Sequence, residues 1–186
     1  VLKRDLSTQW HAPKHRYPNF GFSNSAFWLS LPFENNHDIQ TSMLLEIAFP
    51  LHDKIDVYLL DSDKVITSYH TGDLLPFNSR PLNHRSFLFP QTVAPQAKLR
   101  AIVRLQSTDT LYLPVKVWKS HDFFTADQNE IFLLGLFFGF LSIMLIYNLL
   151  LYFSTQQKRY LYYVFFTGAI IYFQLVQKGL AYQYLW

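Results

Sequence analysis

The chain has 186 residues, half of them hydrophobic and 18% aromatic, with a formal charge of +3 and no cysteine. Through Glu130 the basic and acidic residues balance at thirteen each, so the excess charge is Lys158, Arg159 and Lys178 alone. These facts exclude a dense cationic surface for nucleic acid, a disulfide framework, thiolate metal sites and thiol catalysis.

In chain order, residues 1–21 are polar and carry Trp10, Pro13, Tyr17 and Pro18. They read as an irregular arm. No apolar signal-peptide core follows Val1, so an exported form is expected to need one upstream. From Phe27 the pattern has a period of two. Phe27, Leu29, Leu31 and Phe33 point one way, while Trp28, Ser30 and Pro32 point the other, as in a half-buried strand. Met43, Leu45, Ile47 and Phe49 repeat the pattern. Ile55, Val57 and Leu59 follow, with Asp56 and Tyr58 opposite. Shorter strands are predicted over Val65 to Thr71 and Arg85 to Phe89. Leu99, Ala101, Val103 and Leu105 alternate against Arg100, Ile102, Arg104 and Gln106, and Leu111 to Lys119 closes the series. Seven or eight short strands with turns rich in Asp, Asn, Ser and Pro predict an antiparallel β-sandwich.

The character then changes. Ile131 to Phe153 holds no charge over 23 positions. A helix of that length reaches about 34 Å, enough to cross a hydrocarbon core of about 30 Å. After a polar break at Ser154 to Arg159, Tyr160 to Gln177 is a second uncharged run, followed by Tyr182, Tyr184 and Trp186. Aromatic residues gather at membrane interfaces in this way. Lys158 and Arg159 lie between the two runs, which predicts an inside loop and both ends outside. The expected division is therefore a β-sandwich over 1–122 and two transmembrane helices within 123–186, at about 131–153 and 160–177. Thr167, Gln174 and Lys178 share one face of the second helix, and Gly135, Gly139 and Ser142 form a small-residue stripe on the first. Either the two helices satisfy each other, or further helices of a larger bundle pack there.

Several segments together resemble one known family. They are Asn19-Phe20-Gly21-Phe22-Ser23 leading to Phe27-Trp28-Leu29, and Thr71-Gly72-Asp73-Leu74-Leu75-Pro76-Phe77-Asn78-Ser79-Arg80-Pro81 followed by His84-Arg85 and Phe87. Further along come Gly135 to Gly139 and Tyr147-Asn148-Leu149, then Tyr160-Leu161-Tyr162-Tyr163, then Gly179 to Trp186. In this order they resemble the bacterial seven-transmembrane receptors with diverse intracellular signalling modules, with the type 2 extracellular domain. The resemblance implies a mainly β fold: a jelly-roll-like sandwich, similar to carbohydrate-binding modules, followed by the first two of seven helices. It implies a location in the bacterial inner membrane with the sandwich in the periplasm. It also implies a cytoplasmic output module beyond this segment, of diguanylate cyclase or histidine kinase type. The expected partners are a small carbohydrate ligand, the membrane, and the remaining helices and output module; a homodimer is compatible with this plan.

The candidate ligand-binding residues are Trp28, Tyr58, Arg80, His84, Arg85 and Arg104. Trp28 and Tyr58 lie opposite their strands' apolar residues, and aromatic faces stack on sugar rings. If their strands share a sheet, Trp28, Tyr58 and Arg104 line a shallow cleft; otherwise Trp28 packs under the N-terminal arm. The long segment from Gly72 to Arg85 supplies Arg80, His84 and Arg85, since loops carry binding residues more often than strands do. The competing reading is that Arg80 pairs with Asp73 and clamps the loop. His11 and His15 have helical metal-ligand spacing, but Pro13 stands between them. Asp53-Lys54-Ile55-Asp56 and Asp61-Ser62-Asp63 read as turns rather than calcium loops. No nucleophile elbow, phosphate loop or zinc-protease motif occurs, so no catalytic residue, metal or cofactor is expected. The rival to a ligand sensor is a membrane-anchored module that binds another envelope protein.

Overall fold

The computed structural model describes Trp10 and residues 18–62 and 64–185. The expected arm, with His11 and His15, lies largely outside the described residues, as does Asp63. Among the described residues nine strands precede three α-helices: β1 (Asn19–Phe22), β2 (Phe27–Glu34), β3 (Thr41–Ile47), β4 (Lys54–Asp61), β5 (Lys64–Thr71), β6 (Phe87–Val93), β7 (Lys98–Gln106), β8 (Thr110–Tyr112) and β9 (Val115–Lys119), then α1 (Ser120–Thr155), α2 (Lys158–Gln177) and α3 (Leu180–Tyr184), with a 3-10 turn at Phe77–Ser79 between β5 and β6.

A four-stranded sheet has the order β2-β7-β4-β5, a three-stranded sheet has β6-β3-β9, and β1 pairs with β8 as a ribbon. All pairs are antiparallel. The alternating residues of both sheets meet in one core. Ile55, Val57, Leu59, Ala101, Val103 and Leu105 face Leu45, Ile47, Phe87 and Phe89, with Phe27, Leu29, Leu31 and Phe33 packed at the side. This removal of apolar surface from water is the main force holding the sandwich together. Asn35, only 1% exposed, ties one corner: its Nδ2 donates to the carbonyls of Ile39, Val93 and Ala94 at 2.8–3.1 Å.

β1 begins within the expected irregular arm and β3 ends at Ile47 rather than at Phe49. Two further strand boundaries differ from the sequence pattern, and proline explains both. β6 runs from Phe87 to Val93 through Pro90, which an edge strand tolerates because a missing N–H on its outer side costs no ladder bond. The last apolar stretch splits into β8 and β9 around Leu113 and Pro114.

The helices also extend the expectation. α1 is 36 residues long and starts directly after β9, eleven residues before the uncharged run. At 1.5 Å per residue it spans about 54 Å, of which roughly 16 Å precedes Ile131. α1 and α2 are both long and apolar enough to cross a membrane. The turn between them uses Gln156 in the left-handed region, φ 55°, whose N–H closes α1 on the Tyr152 carbonyl. Thr167 is the buried residue of α2, while a Cβ at Gly135 or Gly139 would meet nothing within 4 Å. The small-residue stripe of α1 is therefore outside the α1–α2 contact.

Candidate functional site

Two surfaces of the sandwich gather the predicted site residues, and they have opposite characters. The first is the outer face of the four-stranded sheet. Register places Trp28 of β2, Arg104 of β7, Asp56 of β4 and His70 of β5 in one row across all four strands. Tyr58 lies one step along, opposite Ile102 and Ser68. The Trp28 and Tyr58 rings are close to parallel, 18° apart with centroids at 6.4 Å, and His70 meets Tyr58 edge-on at 6.0 Å.

Asp56 organises the polar half. One carboxylate oxygen accepts from Arg104 Nη1 at 2.9 Å, and the other lies 2.8 Å from His70 Nδ1. Arg104 Nη2 donates to Gln106 Oε1 at 2.7 Å. These links fix the guanidinium beside the aromatic pair while its side chain stays 28% exposed. The face is thus an aromatic platform edged by a positioned cation, a carboxylate and an imidazole. Such a surface presents a stacking plane and directional polar groups together. Two clefts, of about 670 and 380 Å³, lie elsewhere, at the β4–β5 turn and beside Phe49 and Tyr112.

The second surface is the outer face of the three-stranded sheet, and the chain itself covers it. β3 is buried from Met43 to Ile47 without alternation, because Leu44 and Leu88 face outward into a second cluster with Phe123 of α1. Leu82 and Trp118 pack against that cluster. Trp118 Nε1 donates to Glu46 Oε2 at 2.7 Å, which satisfies an otherwise buried carboxylate.

The segment from Gly72 to Ser86 leads to this surface. Gly72 is required at its start: a Cβ there would sit 2.0 Å from the Asp53 carbonyl oxygen. Arg85, 5% exposed, places Nη2 at 2.6 Å from Asp127 and 3.2 Å from Glu130, both on α1. His84 Nε2 lies 3.2 Å from the same Asp127 oxygen, and its ring meets Phe123 edge-on. Lys178, at the end of α2, reaches Glu130 at 3.6 Å. Gly179 turns into α3 at φ +70°, where a Cβ would lie 2.7 Å from Pro50 and 3.0 Å from the Arg85 carbonyl. The β-domain is therefore seated on the outer ends of both long helices.

Arg80 is also interior, at 6% exposure. Its Nη1 donates to the carbonyls of His84 and Arg85 at 2.9 and 2.6 Å. The loop is thus clamped through backbone carbonyls rather than through a pair with Asp73. Burial draws the Arg80 pKa down to about 10, with Tyr182 and Asp73 opposing the shift. Burial likewise pushes the Asp73 carboxyl above its ordinary value, helped by Asp53 and Asp109.

Of the six sequence candidates, the structure brings Trp28, Tyr58 and Arg104 together on the open face. It sets Arg80, His84 and Arg85 in the seam between loop and helices. Sequence reasoning missed Asp56 and His70 of the open row, and Phe123, Asp127 and Tyr182 of the seam. A register-free strand pattern does not show which polar residues fall opposite each other. The spacing of Phe123, Asp127 and Glu130, by four and three, was the available signal for a docking stripe on a helix.

The comparisons with known proteins agree with this architecture. Residues 1–119 match the family model described as 7TMR-DISM extracellular 2, and residues 130–186 match the one described as 7TM diverse intracellular signalling. No curated protein matches the chain.

Proposed function

Because this chain belongs to the 7TMR-DISM receptor family, with its extracellular domain and membrane helices, we propose that its sandwich senses a small carbohydrate on the face carrying Trp28, Tyr58 and Arg104. The near-parallel rings of Trp28 and Tyr58 beside the Arg104–Asp56–His70 row are the observation that carries this reading. A pyranose has an apolar face that stacks on such rings, and its rim hydroxyls can accept from Arg104 and donate to Asp56. Arg80, His84 and Arg85 then belong to transmission rather than to ligand contact. β9 passes into α1 with no intervening residue, so displacement of the sandwich tilts α1 instead of being absorbed by a flexible linker. The signal continues through the family's remaining helices to a cytoplasmic output, which we place in the cyclase or kinase class. The membrane is a bacterial inner membrane, with the sandwich in the periplasm.

A panel of soluble oligosaccharides and cell-wall fragments, titrated into the detergent-solubilised protein, tests the reading. One member binds, and Trp28→Ala weakens it about tenfold or more, as loss of a stacking contact of about 1.4 kcal/mol requires. A panel with no binder and no thermal shift, together with a stoichiometric protein partner on co-purification, overturns it in favour of an interaction module.

A further inference from the structure

The seam holds a group whose chemistry the docking of the helices does not by itself require. The Arg80 guanidinium is nine-tenths buried and lies among three aromatic rings. Phe87 is at 4.1 Å, Phe77 at 4.8 Å and Tyr182 at 5.0 Å. Phe77 and Phe87 belong to the sandwich, but Tyr182 belongs to α3, at the end of the membrane hairpin. The Tyr182 hydroxyl donates to the Leu75 carbonyl, so the ring that closes the cage also holds the loop carrying Arg80. Phe77 and Tyr182 meet edge-on at 5.5 Å across the same boundary.

The cage leaves the cation incompletely served. Arg80 Nη1 has its two carbonyls, but Nε and Nη2 are buried with no hydrogen-bond partner, and so is Asp73 Oδ1 nearby. A buried cation with unmet donors is costly, and ring faces repay only part of the lost hydration. Withdrawal of Tyr182 would open the guanidinium to water, which satisfies Nε and Nη2 at once. The favourable cation–π contact and the favourable hydration thus belong to two different positions of α3. Packed interfaces with two such alternatives are bistable rather than continuously deformable.

We propose that Arg80 and Tyr182 form a latch between the sandwich and the membrane hairpin, closed when the ring caps the guanidinium and open when α3 withdraws and Arg80 hydrates. The latch's part in signalling rests on the receptor reading above; its existence does not. Arg80 acts as a positioning residue, setting where α3 sits against the loop, and touches no ligand.

The test is amide hydrogen exchange on the detergent-solubilised protein without any ligand. Tyr182→Leu raises exchange across residues 75–86 by about tenfold or more, while the core amides of β7 keep their protection and so exclude general unfolding. Tyr182→Phe keeps the ring and loses only the bond to Leu75, so it shows a smaller rise. Arg80→Met removes the charge but fills the cage, and in that background Tyr182→Leu has a much reduced effect. Wild-type exchange in Tyr182→Leu overturns the latch, and so does strict additivity of Arg80→Met and Tyr182→Leu. A failed sugar screen leaves this outcome untouched, because no ligand enters the experiment.

Discussion

The two outer faces of the sandwich start from the same rule and end differently. Both sheets turn alternate side chains outward. On the four-stranded sheet the outward residues are Trp28, Arg104, Asp56, Tyr58 and His70, which keep polar groups and rings at the surface. On the three-stranded sheet they are Leu44, Leu88 and Trp118, which bury themselves under Phe123 and Leu82. One face stays open and the other is occupied by the chain's own helix. The sandwich is thus held at its back and open at its front.

Substitutions on the two faces should therefore differ in kind, and the largest effect is expected in the seam. Arg85→Ala leaves Asp127 buried beside His84 without its cation. Removing one partner of such a pair costs about 3–5 kcal/mol. Thermal unfolding in detergent reads this as a large fall in Tm, and Arg85→Lys recovers only part of it because the two-carboxylate contact is lost. Phe123→Ala follows at about 3 kcal/mol, from the cavity left against Leu44, Leu88 and Trp118. An unchanged Tm for Phe123→Ala would mean that the helix does not cover the back face.

A pH effect of similar size comes from His52, which is fully buried and packs tilted against Phe49 at 4.9 Å. Burial lowers its pKa from 6.5 to about 4, against the nearby Tyr112 backbone and the charge of Asp53, both of which raise it. The unfolded chain binds the proton first as pH falls. The contribution is therefore complete above pH 6.5 and is lost between 6.5 and about 4, on the order of 3 kcal/mol in all. Denaturant midpoints measured across that window fall in the wild type and fall less in His52→Phe. The smallest change in stability is expected at the front. Trp28→Ala loses a stacking contact and part of its packing, about 1 kcal/mol, yet weakens sugar binding about tenfold or more. If it destabilised the protein as much as Phe123→Ala, the front face would be structural and the comparison would fail.

Much of this was legible in the residues. Period two fixed the inward sets of β2, β4 and β7, and the uncharged run from Ile131 fixed a span. Trp28, Tyr58 and Arg104 were readable as outward residues, because each interrupts an apolar series at even spacing. What the pattern did not carry was pairing. Met43-Leu44-Leu45 and Phe87-Leu88-Phe89 are continuous apolar runs, the mark of strands covered on both sides. Nothing local says that Phe123 supplies the cover. Arg80 looked like a ligand-seeking cation because it sits in a polar loop, and only the return of Tyr182, over a hundred positions later, turns that loop inward. The early start of α1 was hidden for the same reason: residues 120–130 carry charges that look solvated until they meet Arg85 and His84.

The absence of cysteine from the sequence lets the membrane topology be read directly. Single cysteines are placed at Ser30, on the open face, and at Gln156, in the turn between the two spans, and are challenged with a membrane-impermeant maleimide on intact cells with a permeable outer layer. With the sandwich outside and the turn inside, Ser30→Cys is labelled at once and Gln156→Cys only after the membrane is broken. Labelling of Gln156→Cys in intact cells, with Ser30→Cys protected, would contradict that placement.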